Sequence, residues 1–220
     1  MENSFKIYCA GPLFNPVERQ EMAEIANVLK KSGFSVFLPQ EDGLEFAHLF
    51  PLFVKRGIDV KSAQKLLNLA IFSLDVFEII DSHGLVLNMN GRVPDEGAMV
   101  EAGIAWTNNR PIVIFNSDER TLIQGNCNPL VLGLSDFEVI TTYGEIPTTF
   151  EKKFKELGDK VIQNKDFQFE EKKKKGKTIR EHINNKENKY DLAELLINLF
   201  GEELCIKGQG ESYIHHNTQR

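Results

Sequence analysis

The sequence predicts an α/β protein: a doubly wound, five-stranded parallel sheet followed by a charged, helical C-terminal extension. Three observations predict it. Short apolar runs alternate with stretches of helical period, the runs stop at Gly or Pro, and 220 residues at 41% hydrophobic and 26% charged supply a core for one domain and an appendage. Strands separated by helices pair in parallel with right-handed crossovers.

Residues 5–10 form the first apolar run, ended by Gly11-Pro12. Pro16 can open a helix, and Met22, Ile25, Ala26 and Leu29 keep a spacing of three and four up to Lys31, with Gly33 as terminator. Residues 34–38 make a second strand, stopped by Pro39. A long helical stretch over 60–80 leads into a strand at 84–88; after a loop at 89–96 come a helix at 97–109 and strands at 111–115 and 137–140. Sites in such sheets lie beyond the carboxyl ends of the strands, so the loops 10–16, 39–46, 89–96 and 116–130 are the ones to inspect. The run from Lys172 to Lys177 reads as an exposed linker, and Leu192, Leu195, Leu196 and Leu199 return to helical period. The boundaries are 1–158 for the main domain and 159–220 for the lysine-rich linker and helical extension.

Residues 1–150 carry 11 basic and 19 acidic side chains, which argues against a nucleic-acid surface there. Cys9, Cys127 and Cys205 form no CxxC pair, the first residues are not a secretory leader, and no apolar run has the length of a membrane span. The expectation is a cytoplasmic protein without membrane or nucleic-acid partners. Five histidines without ligand spacing predict no metal, and the absence of GxGxxG after the first strand predicts no dinucleotide. Gly176-Lys177-Thr178 lacks the first glycine of a P-loop, and there is no GxSxG elbow.

What remains are carboxylates. Glu101 stands alone in a stretch that is apolar or small around nearly its whole circumference, Ala98 to Trp106, which predicts a helix buried on all sides. A carboxylate withdrawn from water is costly unless paired, so Glu101 either makes a structural bond, for example to Arg92, or does chemistry. Asp95 suits the cap of that helix, and its side chain need not follow helical phase. Asp75 is a third acid among apolar neighbours. Carboxylates in different environments can divide into nucleophile and proton donor, the arrangement that breaks bonds at an anomeric carbon.

The stretches Ile7-Tyr8-Cys9-Ala10-Gly11-Pro12-Leu13-Phe14 and Asn90-Gly91-Arg92-Val93-Pro94-Asp95-Glu96-Gly97-Ala98-Met99-Val100-Glu101-Ala102-Gly103 resemble the two signatures of the nucleoside 2-deoxyribosyltransferases. The resemblance covers about residues 5–155 and implies a flavodoxin-like fold. It implies that Glu101 attacks C1′ of a deoxynucleoside, that Asp75 protonates the leaving base, that Asp95 binds sugar or assists that proton transfer, and that Tyr8 orients the nucleophile. Gly11 and Phe14 would line the pocket, Gln40 would read the base edge, and Asn128 would reach the sugar of a neighbouring subunit, which requires a homo-oligomer with shared sites. The implied partners are nucleosides and nucleobases, without a cofactor. Cys9 and Asn90 stand where relatives often carry another apolar residue and an aspartate. A hydrolase using water as acceptor, and a non-catalytic nucleotide-binding domain, share these features and stay open at this point.

Overall fold

The computed structural model describes residues 5–91, 93–118, 127–158, 170–184 and 189–201. In chain order the elements are β1 (Lys6–Ala10), α1 (Pro16–Lys31), β2 (Ser35–Phe37), α2 (Pro39–Asp42), α3 (Phe46–Lys55), α4 (Val60–Asp81), β3 (Gly84–Asn88), α5 (Glu96–Thr107), β4 (Ile112–Phe115), α6 (Pro129–Leu132), a 3-10 turn at Gly133–Ser135, β5 (Val139–Ile140), α7 (Glu145–Leu157), α8 (Glu170–Asn184) and α9 (Lys189–Phe200). The five strands form one sheet in the order β2-β1-β3-β4-β5, with every pairing parallel. That order is the flavodoxin-like one, and the chain changes direction across the sheet between β1 and β3.

Two compact units divide the chain. The first comprises 1–43 and 78–170, the second 44–77 and 171–220. In the first, α1 begins with a capping box: the Asn15 side chain accepts from the Glu18 N–H while Glu18 reaches back to the Asn15 N–H. Its apolar stripe, Met22, Ile25, Ala26 and Leu29, packs with Ile7 and Cys9 of β1, Val86 of β3 and Ile146, Phe150 and Phe154 of α7. Successive strand side chains alternate between faces, so Tyr8 projects to the face opposite Ile7 and Cys9. Gly84 is required where β3 begins, because a Cβ there would lie 2.8 Å from Cε1 of Phe150. At this amino edge of the sheet Lys6 bridges Glu78 at 2.6 Å and Asp81 at 2.8 Å, and Nδ1 of His83 accepts the Lys6 N–H at 3.0 Å. Burial, then the nearby Arg110 charge, lowers the His83 pKa, in keeping with a ring nitrogen used as acceptor.

The second unit corrects two expectations. The run 172–177 is part of the helix α8 rather than a linker. Lysine is a good helix former whose stem packs while its charge stays wet, and Nζ of Lys175 lies 4.8 Å from the centre of the Phe200 ring. Ile179 of α8 joins Ala193, Leu196, Ile197 and Phe200 of α9, Leu49 and Phe53 of α3 and Leu66, Leu67, Ala70 and Leu74 of α4 in one core. The helices α8 and α9 therefore pack with α3 and α4, and the division between the units falls at 170/171 rather than at 158. The helix α3 carries Pro51 inside it and has no side-chain cap, so neither of the usual sequence signals was present to announce it. No helix among the described residues is long and apolar enough to cross a membrane.

Gly176 is a point of close approach in this packing, because a Cβ there would collide with the Ser73 carbonyl oxygen and Cβ of Phe77. Gly176→Ala forces two helix backbones apart, outweighing the gain in helix propensity, and thermal unfolding should show a loss of about 2 kcal/mol.

Candidate active site

The sheet and α5 together place the Tyr8–Glu101 pair. Tyr8 sits in the middle of β1, fully buried, with its ring stacked on Phe37 at a centroid distance of 5.2 Å. Phe37 is its register partner on β2, so the stack follows directly from strand pairing. The Tyr8 hydroxyl donates to Oε1 of Glu101 at 2.8 Å. Glu101 lies in the second turn of α5 and is half-buried. The small residues Ala98, Ala102 and Ala105 form the buried face of α5 and let this helix approach the sheet.

Asp95 is the cap of α5, its Oδ1 accepting the Ala98 N–H at 2.6 Å. Gly97 leaves room for that turn, since a Cβ there would lie 3.1 Å from the same oxygen. Asp95 is thus anchored by one oxygen at the start of the helix that carries Glu101. Asp75 is half-buried on the part of α4 that belongs to the second unit. Gly11, just past β1, is a close approach: a Cβ would stand 2.6 Å from Sδ of Met22 and 2.8 Å from Cβ of Asn88. Phe14, expected as an apolar wall, is 78% exposed. Gln40 is anchored to α1, its amide nitrogen donating to the Arg19 carbonyl at 2.9 Å, while its buried Oε1 makes no hydrogen bond among the described residues. Asn128 is exposed and caps α6, accepting the Leu130 N–H at 2.9 Å. Arg92, the expected structural partner of Glu101, lies outside the described residues.

α5 is not buried on all sides. Val100 is 58% and Trp106 56% exposed, and a Cβ on Gly103 would meet nothing within 4 Å. The all-round apolar pattern has two origins here, a sheet-facing side of alanines and an outer side left open around Gly103.

A polar cluster on the α1 side had no signal in the sequence. A groove of about 780 Å³ there is lined by the start of α1, including Glu18 and Glu21, and by Asn90, Gly91, Ser117 and Asp118. Asn88 and Asn90 are buried and both donate to Glu21. Polar residues at the end of a strand are ordinary loop composition, and only the fold shows that these meet. Among the described residues, no three His, Cys, Asp or Glu side chains form a metal-holding group.

A tyrosine-held carboxylate near the carboxyl edge of a 2-1-3-4-5 sheet defines a class of α/β protein with an acid beside its switch point. The family model for nucleoside 2-deoxyribosyltransferase matches residues 7–188, and the chain belongs to that family. Among solved structures, a conserved protein from Enterococcus faecalis V583 is similar in fold, with 23% identity, a TM-score of 0.51, 68% of this chain covered and 99% of that one. A 2-deoxyribosyltransferase from the psychrotolerant bacterium Bacillus psychrosaccharolyticus is similar at 19% identity and a TM-score of 0.45, covering 64% of this chain and 90% of that one. No match was found among curated proteins.

Asp95→Ala removes the cap of α5 and should cost about 1 kcal/mol in thermal unfolding, whereas Asp95→Asn, which keeps an accepting oxygen, should cost less than half of that.

Proposed function

We propose that the protein exchanges nucleobases on 2-deoxyribose by a retaining double displacement at Glu101. The observation that carries this is the Tyr8 to Glu101 hydrogen bond, which fixes one carboxylate oxygen and leaves the orientation of the carboxylate defined before substrate arrives. Membership of the nucleoside 2-deoxyribosyltransferase family supplies the substrate class.

In the first displacement the carboxylate oxygen of Glu101 bonds to C1′ as the bond from C1′ to the base nitrogen breaks. The electron pair of that bond leaves with the base, and Asp75 delivers a proton to it, since an unprotonated base is a poor leaving group. In the second, a different base attacks C1′, the bond to Glu101 breaks, and the proton returns to Asp75. Two inversions retain the configuration. Asp95 binds the sugar or assists the proton transfer. Gly11 contributes its backbone to the substrate pocket, Phe14 and Gln40 contribute on the base side, and Asn128 reaches the sugar bound by a neighbouring subunit. That last assignment makes the working form a homo-oligomer, and the exposed Val100 and Trp106 beside Gly103 on α5 support a protein surface meant to be covered. A cytoplasmic location and a role in nucleoside salvage fit this activity.

Incubation with deoxyinosine and adenine tests the reading. Deoxyadenosine should form, and mass spectrometry of the protein quenched with donor alone should show deoxyribose on the peptide containing Glu101. Free deoxyribose released at the same rate with or without adenine would make the protein a hydrolase instead. Glu101→Gln should lower exchange by at least about 1,000-fold with the fold intact, as expected when a covalent nucleophile is removed. Tyr8→Phe keeps the ring stack and loses only the hydroxyl, so kcat should fall roughly 10- to 100-fold with a small change in KM and a stability loss of about 1 kcal/mol.

A further inference from the structure

The polar cluster behind the sheet is more than a buried patch, because its atoms converge on the segment that delivers α5. Glu21 of α1 accepts from two asparagines at once: Nδ2 of Asn88 donates to Oε2 at 2.8 Å and Nδ2 of Asn90 to Oε1 at 2.7 Å. The Asn88 Oδ1 accepts the Asn90 N–H at 3.0 Å, which turns the chain at the end of β3. Asn90 then fastens this loop to the one after β4, its Oδ1 accepting the N–H groups of Ser117 at 2.8 Å and Asp118 at 3.0 Å. Asp118 closes the circuit by accepting the Gly91 N–H at 3.2 Å. Asn88 and Asn90 are both buried, so the donor end of each bond to Glu21 is shielded from bulk water, while Glu21, Ser117 and Asp118 border the groove. Gly91 has a φ of 116°, a left-handed conformation that glycine adopts at low cost.

We propose that Glu21 is a positioning residue for the reaction at Glu101, acting through Asn88 and Asn90 on the loop that leads into Asp95 and α5. Resting on the base-exchange reading for its kinetic consequence, the inference has a structural consequence that stands without it. Glu21 lies on the opposite side of the sheet from Tyr8 and touches no reacting atom. Its carboxylate holds the two donors that define the exit from β3, and a shift of that exit moves the start of α5 and with it the carboxylate of Glu101 against Tyr8.

The donor and acceptor pattern makes the idea separable from general stabilisation. Asn90→Asp sets a second carboxylate against Glu21 where a donated hydrogen bond of 2.7 Å now stands. Combining it with Glu21→Gln reverses the pair with little change in size and none in net charge. In that double variant the new amide oxygen at position 21 still accepts from Asn88, and the amide nitrogen beside it donates to the new carboxylate at position 90. That carboxylate in turn still accepts from the N–H groups of Ser117 and Asp118.

The experiment measures base exchange from deoxyinosine to adenine, together with amide hydrogen exchange over residues 93–101, for the parent, Glu21→Ala, Asn90→Asp and the double variant. Glu21→Ala and Asn90→Asp should each lower kcat roughly 10- to 100-fold while KM changes less than about threefold, and should speed amide exchange over 93–101 by at least about tenfold. The double variant should return both quantities to within about threefold of the parent. Unchanged amide exchange in Glu21→Ala, or a double variant no better than Asn90→Asp alone, would overturn the proposal. If Glu21→Ala does not fold, the comparison of Asn90→Asp with the double variant decides. A parent protein that exchanges no bases at all sinks the functional reading alone, and amide exchange still decides the role of Glu21.

Discussion

The geometry of the candidate site rests on a hydrogen bond between elements far apart in sequence, from the hydroxyl of Tyr8 in β1 to the carboxylate of Glu101 in α5. A half-buried carboxylate incurs a desolvation penalty that the tyrosine donor offsets in part. The donor is useful only if it cannot wander, and Tyr8 cannot: its ring is enclosed and stacked on Phe37. Much of the first unit can be understood as holding the two ends of that bond in place. The stripe of α1 and the phenylalanines of α7 fix β1 from behind, and the alanines of α5 allow the helix to lie against the sheet in front.

The second constraint is the strand order. In a 2-1-3-4-5 sheet the loops after β1 and β3 diverge to opposite faces, which opens a cleft at the carboxyl edge. Gly11 lies after β1, and Asn90 and Asp95 lie after β3. Gly11 is held to the smallest side chain by Met22 and Asn88, and Asn88 is also a donor to Glu21, so one asparagine serves the packing behind the sheet and the polar circuit beside it.

Most of the strand and helix pattern was legible because parallel, doubly buried strands read as short apolar runs and because Pro16, Gly33 and Pro39 punctuate the first unit. Glu101 stood out for a related reason, as the lone charge in the apolar stretch from Ala98 to Trp106. Three features were not legible. The helix α3 hides behind an internal proline and an uncapped start. A lysine run looks the same whether its stems pack or float, and Gly176 only reveals its meaning once Ser73 and Phe77 are seen against it. Glu21 was one acid among several on an amphipathic helix, and its two asparagine donors are 67 and 69 residues away. Long-range polar pairing leaves no periodic trace.

The stack of Tyr8 on Phe37 exists because those residues are opposite one another across paired strands. A strand slipped by one residue would turn its side chains to the wrong face, so there is no half-formed version of this contact. The carboxylate's alignment therefore inherits the all-or-none character of sheet assembly. Warming toward the melting range should reduce how many molecules hold the Tyr8 and Glu101 pair, while each molecule that stays folded keeps it intact.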